Sequence, residues 1–388
     1  MSAERSLREP WMLGPLQVPN RVMLAPLAGI GNWFVRLQAR RHGAGLVVSE
    51  MVSSFAIHHH NARTLRELLH IDPREHAGGP VSIQLFGADP AVMRSAAEQA
   101  AAAGADLIDI NMGCPVPKVQ KTGAGAALLA NPDLAVALAR AAVEGAAEGR
   151  AAMEADGLVP GGLSAGGLSA DGLAPGGLGA GGLGAGGLGP GGLGAGGLPI
   201  TVKLRSGLRP GDTSGFRLAH RLVEEAGVAA IAFHPRSAAV HHRGTPDYQL
   251  AASLAASLPA PVILTGGLHE AAHVREAFHS TGATAVMLAR GALGNPWLFG
   301  ELLGSRECPP SREEVLVELS WTIDRAVEHL GEPRAGRYLR KFYPWYLARL
   351  GLEPKALKRL QESLQRADTL EDARRLLDGE SLPAAVAL

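Results

Sequence analysis

The densest chemical signal in this chain is the segment Asp109–Pro115, DINMGCP, in which an apolar run gives way to Asn111, Gly113, Cys114 and Pro115. A cysteine on its own is most often a small core residue. Cys114 differs in context: Pro115 and Pro117 stiffen the chain after it, and Lys118 and Lys121 follow closely enough to act on a thiol. A thiol held in place on a loop can hand a proton to a substrate. Lys203, set among apolar residues in ITVKL, is the second candidate. Such a lysine is poorly suited to the outer surface; at a strand end it serves as a charge beside a bound group or as a Schiff-base nucleophile. Histidines are grouped at His58 to His60 and at His241 and His242. No carboxylate or cysteine stands at ligand spacing beside them, so no metal site is expected, and they read as phosphate or base contacts or as solvated side chains.

These residues need elements to carry them. Eight short, nearly continuous apolar runs recur along the chain: RVMLAPL, GLVVSEMV, VSIQLFG, LIDINMG, ITVKLRS, AIAFHPR, VILTGGL and AVMLARG. Most are followed by stretches with apolar residues at helical spacing, the pattern of strands covered on both faces. Eight such units predict a (β/α)8 barrel, with an open doubly wound sheet as the alternative. In either fold the chemistry lies beyond the C-terminal strand ends, where Cys114 and Lys203 fall.

A five-residue G-G-L-x-A/P repeat interrupts this alternation from about Asp156 to Leu198 and accounts for much of the chain's 50 glycines. Its composition predicts a disordered insertion on the face of the barrel opposite the chemistry, and its period of five excludes collagen. The barrel domain is therefore assigned to residues 1–300 and an all-helical domain to residues 301–388. Between Arg334 and Arg359 that domain carries Arg334, Arg337, Arg340, Lys341, Arg349, Lys355, Lys358 and Arg359 against Glu353 alone, interleaved with Tyr338, Phe342, Tyr343, Trp345 and Tyr346. Two readings stand: a surface for phosphates and stackable bases, or a solvated basic face with its aromatics in the core.

Composition narrows the class. The 388 residues are 46% apolar, ample for a large core, and 37 basic residues balance 37 acidic ones, so any polyanion must be met by a local patch. Two cysteines exclude a disulfide framework and fit a reducing cytoplasm. No run suits a secretory signal or a membrane span, and a cytoplasmic protein is expected. No motif points to a protein partner.

NMGCPVPKV followed by GAGAALL resembles the signature of the tRNA-dihydrouridine synthases, most of all their bacterial B-type branch. APLAG, SEM, QLFG, VKLRSG, HPRS and ARGALGNPWLF follow the family's order, and the similarity spans about Val18 to Phe299 and reaches RKFYPWY in the helical domain. The resemblance implies an FMN site on the strand ends. Pro26, Leu27 and Ala28 would line the isoalloxazine ring, Gln84 would bond its polar edge, and Lys203 would stabilise the anionic reduced flavin. His234 would contact the flavin or its phosphate, and the phosphate would lie by Thr265, Gly266, Gly267, Ala289, Arg290 and Gly291. Asn111, Arg236, Arg340 and Lys341 would face tRNA. The chain departs from the family at Leu27, where Met is usual, at Gly31-Asn32 for Thr-Asp, at TGGL for N-G-D and at Ala289 for Gly, while Arg36 is retained.

By that resemblance the reaction is reduction of the uridine 5,6 double bond in tRNA. Hydride passes from reduced FMN to C6, Cys114 protonates C5, and NADPH recharges the flavin. Two rivals remain open: a flavin barrel acting on a free pyrimidine, and a Schiff-base aldolase using Lys203.

Overall fold

The computed structural model describes residues 5–155 and 197–381. The chain opens with an antiparallel hairpin, β1 (Trp11–Leu13) and β2 (Leu16–Val18). Eight parallel strands then close into a barrel: β3 (Val22–Leu24), β4 (Leu46–Ser53), β5 (Val81–Phe86), β6 (Leu107–Met112), β7 (Ile200–Arg205), β8 (Ala230–His234), β9 (Val262–Thr265) and β10 (Ala285–Leu288). Last and first meet, with Val286 to Leu288 in register with Val22 to Leu24. The (β/α)8 expectation is met and the open sheet is excluded.

Around the strands run α1 (Trp33–Arg41), α2 (Ser54–His58), α3 (Pro90–Ala102), α4 (Pro117–Gln120), α5 (Pro132–Ala155), α6 (Ser214–Ala226), α7 (Tyr248–Ser257), α8 (Ala271–Thr281) and α9 (Trp297–Leu303). After α9 the described residues form helices alone: α10 (Arg312–Leu330), α11 (Glu332–Leu339), α12 (Tyr343–Leu347), α13 (Pro354–Arg366) and α14 (Leu370–Ser381). Among the described residues no helix is long and apolar enough to cross a membrane. Of the Gly-Leu repeat, residues 156–196 lie outside the described residues, so the insertion expected there does too. Leu198, assigned to it, is a core residue leading into β7.

Alternation along the strands divides two cores. Outward-facing residues pack under the helices, whereas Met23, Leu46, Val48, Leu107, Ala230, Ala232, Ile263, Ala285 and Met287 form a separate apolar cluster filling the bore. Trp11, Leu13 and Val18 of the hairpin join that cluster and close its lower end, a plug the sequence reading did not include. Continuing the same alternation upward, the bore-facing positions turn polar: Gln84 on β5, Asp109 and Asn111 on β6, Thr201, Lys203 and Arg205 on β7. Register sets them side by side, Gln84 opposite Asp109, Asp109 opposite Thr201, and Asn111 opposite Lys203. The mouth of the barrel is thus its polar end.

The helical region docks through a buried polar cluster. The Gln38 side-chain amide of α1 donates to Glu318 at 2.8 Å, to Thr322 at 3.0 Å and to the Tyr346 hydroxyl at 2.8 Å. Phe342, Tyr343 and Tyr346 are buried, which for these three selects the second of the two readings, aromatics in the core. Short α12 must cover α1 and α10, and its large rings do so. Arg334 is also engaged, pairing with Glu67 through both oxygens at 3.0 and 2.7 Å.

Candidate active site

The strand ends surround one cavity of about 430 Å³, within the range of about 300–1,000 Å³ usual for cofactor pockets. Pro26, Leu27, Ala28 and Ile30 form one wall, and Cys114 and Val116 stand on the loop after β6. Gln84, Asn111 and Lys203 line its depth. Thr265, Gly266, Gly267, Ala289 and Arg290 supply the side after β9 and β10, with His234 and Arg236 between.

A chain of hydrogen bonds crosses its floor. The Thr201 hydroxyl donates to one oxygen of Asp109 at 2.6 Å and the Gln84 amide donates to the other at 2.6 Å. Asn111 in turn donates to the Gln84 side-chain oxygen at 2.9 Å. The Asn111 oxygen is left to accept the backbone N–H groups of Cys114 at 2.9 Å and Gly113 at 3.2 Å. Buried polar groups must be paired, and here the pairing fixes where the Cys114 loop begins. Arg205 reinforces it by donating to the Gly113 carbonyl at 2.9 Å. Cys114 is partly exposed on the cavity rim. Lys118 and Lys121 are exposed, and two further cations that sequence proximity did not suggest, Lys203 and Arg205 of β7, also interact with Cys114 through their charge.

The cavity is electropositive by construction. Lys203, Arg205, Arg236 and Arg290 line it together with His234, His241, His242 and His269, and among the described residues no carboxylate does. Burial, with Arg205 adding to it, pushes the Lys203 ammonium down to about 8, against the opposing pull of Asp109 and Cys114. His234 is held well below its usual range by burial and then by Lys203, Arg205 and Arg236, so it stands neutral. His242 is pushed down to about 4 by burial and the same group of cations. So many cations without a lining carboxylate suit an anionic ligand. At Gly266, with φ +99°, a Cβ would come within 2.4 Å of the His234 ring, so the backbone runs directly against the side chain there.

A family model described as dihydrouridine synthase (Dus) matches residues 23–147 and 194–383, skipping most of the repeat. The chain belongs to the dihydrouridine synthase family. It is 31% identical to tRNA-dihydrouridine synthase B of Pseudomonas aeruginosa over 343 residues, 87% of each chain. A probable tRNA-dihydrouridine synthase 1 of Synechocystis is 31% identical over 376 residues, 95% of this chain and 89% of that one. Among solved structures, morphinone reductase aligns at 15% identity with a TM-score of 0.48, covering 80% of this chain and 93% of that one.

The residues expected from the dihydrouridine synthase resemblance divide cleanly. Those of the flavin set except Gly291, with Cys114, Asn111 and Arg236, line the one cavity; Gly291 packs against the Leu268 backbone behind it. Arg340 and Lys341 do not; they lie on the helical region, Arg340 exposed and donating to the Ala367 carbonyl, Lys341 turned toward Gly29. Arg36 is buried away from the cavity and pairs with Glu75. Sequence reasoning missed Asp109, Arg205, Met51 and His269. Asp109 and Arg205 did carry a signal: each is charged and stands two residues from a chosen neighbour, Asn111 or Lys203, hence on the same strand face. Trp345, named only as one of the aromatics of the helical stretch, reaches the cavity through the fold of α12. Among the described residues no three histidine, cysteine or acidic side chains group to hold a metal ion.

Proposed function

We propose that this protein reduces the 5,6 double bond of uridines in tRNA to dihydrouridine, with FMN held in the barrel mouth, NADPH as the source of electrons and the cytoplasm as its place of action. The observation that carries the reading is the meeting of Cys114 with Gln84, Asn111 and Lys203 around one cofactor-sized cavity that is rich in cations and lined by no carboxylate. That donor set fits FMN: an apolar wall at Pro26 and Leu27 for a flat ring, an amide and an ammonium for its polar edge, and Arg290 with the backbone near Gly266 and Gly267 for a phosphate. When bound, FMN supplies the hydride that C6 of the uracil receives.

The protein's own groups do the rest. Lys203 presents positive charge where the ring's carbonyl edge would lie, and Asn111 holds the Cys114 loop. Cys114 keeps a proton on Sγ and releases it to C5, whose acquired carbanion character needs an acid within reach. Arg236 is oriented by its bonds to the Gly244 carbonyl, at 2.6 and 3.2 Å, and faces the substrate side. Exposed Arg340, Lys355 and Lys358 offer charge to the tRNA backbone.

The test is direct. Purified protein should carry a yellow flavin that NADPH bleaches, and the reduced protein should be reoxidised by unmodified tRNA with dihydrouridine appearing among the digested nucleosides. Reoxidation by free uracil or orotate and not by tRNA would establish the free-pyrimidine rival. A colourless protein that traps an aldehyde on Lys203 under borohydride would establish the aldolase.

A further inference from the structure

We propose that the helical region is a working part of the cofactor site, with Tyr338 and Lys341 acting as positioning residues that strap down the loop between β3 and α1. That loop supplies the wall formed by Pro26, Leu27, Ala28 and Ile30. The identity of the ligand behind the wall rests on the function proposed above; the strap itself does not.

The strap consists of bonds that the docking of the region does not require. Docking runs through Gln38, Glu318, Thr322 and Tyr346, whose side chains bond one another and not the backbone of the loop. Tyr338 reaches past α1: its hydroxyl donates to the Ile30 carbonyl at 2.9 Å and accepts from the Asn32 amide at 2.6 Å. Lys341, three residues on and so on the same side, lays its ammonium 3.8 Å from the centre of the Tyr338 ring and donates to the Gly29 carbonyl.

From the barrel side Glu50 completes the grip. Its carboxylate accepts the Gly29 N–H at 2.7 Å, and its own N–H donates to the Gly31 carbonyl at 3.1 Å. The Gly29 residue is thus held by an acid from β4 at its N–H and by a base from the helical region at its carbonyl. Within the loop, the Ile30 and Gly31 N–H groups donate to Leu27 at 2.9 and 2.7 Å, so a pull on Gly29 or Ile30 is transmitted to a wall residue. The C-terminal end of the loop is fixed separately, with Asn32 accepting the Val35 N–H at 3.3 Å and Arg36 donating to the Gly31 carbonyl at 3.1 Å. The strap therefore bears mainly on Gly29 and Ile30, where each alternative shape left open is a loss of preorganisation for whatever lies against the wall.

The experiment uses the full chain. FMN binding is followed by quenching of free-flavin fluorescence for the parent, Tyr338→Phe with Lys341→Met, and Tyr338→Phe with Lys341→Arg. Amide hydrogen exchange over residues 25–32 is measured on the flavin-free proteins. Loss of two hydroxyl bonds and an ammonium bond should weaken FMN binding by roughly tenfold or more and speed exchange over 25–32, while arginine at 341 restores part of both. Exchange over 25–32 equal to the parent's would overturn the strap whatever the flavin does. Faster exchange with FMN affinity within about twofold of the parent's would overturn its role in the cofactor site. A parent that takes up no FMN would sink the proposed function instead, leaving the exchange data to decide the strap.

Discussion

Lys203 should destabilise the flavin-free protein, and replacing it by Met should strengthen the fold while ruining the site. The ammonium sits wholly inside the barrel mouth, pushed down to about 8 from the usual 10.5, first by burial and then by Arg205. The sign follows from linkage: between those two values the unfolded chain binds more protons than the folded one, so stability rises with pH across that window. At pH 7 the penalty for holding the charge is about 3 kcal/mol, and at pH 9.5, where the folded lysine is neutral, it shrinks to about 1 kcal/mol. Met fills a similar volume without charge, so urea unfolding of flavin-free Lys203→Met should show a gain of about 2–3 kcal/mol over the parent at pH 7, narrowing by about 2 kcal/mol at pH 9.5. FMN affinity should fall in the same variant, because the anionic ligand that justifies the buried charge loses its partner. A variant no more stable than the parent at pH 7, or one whose advantage does not narrow with pH, would refute the account of Lys203 as a strained, preorganised cation.

The other expectations are briefer. Cys114→Ala should bind FMN as the parent does yet reoxidise with tRNA at least about 100-fold more slowly in a single turnover, since the thiol gives a proton and holds no cofactor. Asp109→Asn should keep most activity, because Asn can offer its oxygen to Gln84 and its amide to the Thr201 hydroxyl; Asp109→Leu leaves the buried Gln84 amide nitrogen without its acceptor and should cost about 1–3 kcal/mol in urea unfolding, with a matching loss of turnover. Changing Arg340, Lys355 and Lys358 to Ala should lower tRNA affinity and flatten its salt dependence by about one unit of slope per contact, with NADPH reduction of the flavin untouched. His234 is neutral in the fold and takes a proton when unfolded below about 6.5, so the flavin-free protein should lose stability as pH falls through that value; His234→Gln, which cannot titrate, should lose less over the same range.

How much of this was legible in the sequence depends on distance along the chain. The eight strands were readable because burial on both faces leaves long apolar runs, and Cys114 because prolines and a strand end announce a rigid loop. Contacts between strands are another matter. Asp109 bonds Thr201 from 92 residues away, and nothing in LIDINMG says which strand lies next to it. The charges around Cys114 show the same limit: Lys118 and Lys121 are visible from sequence proximity, whereas Lys203 and Arg205 reach it from β7, a strand far along the chain. The aromatics of RKFYPWY carried an ambiguity composition could not break, because a ring that stacks a base and a ring that fills a core look alike until the partner helix is in place.

The floor of the cavity ties these separate findings together through the direction of its hydrogen bonds. Ionised Asp109 can only accept, so Gln84 must turn its amide nitrogen downward and its oxygen toward Asn111. Asn111 must then spend its nitrogen on Gln84, which leaves its oxygen, and not its nitrogen, facing the N–H groups of Gly113 and Cys114. Burial raises the Asp109 carboxyl, while Gln84, Thr201 and the charge of Lys203 oppose that rise. If Asp109 were protonated and donated to Gln84, both amides would reverse and Asn111 would set a donor against two donors, releasing the loop that carries the thiol. Lys203 therefore bears on the site twice: outward, as the charge for an anionic ligand, and downward, as a charge that opposes the burial-driven rise of the Asp109 carboxyl at the head of the chain of bonds that ends at the Cys114 loop.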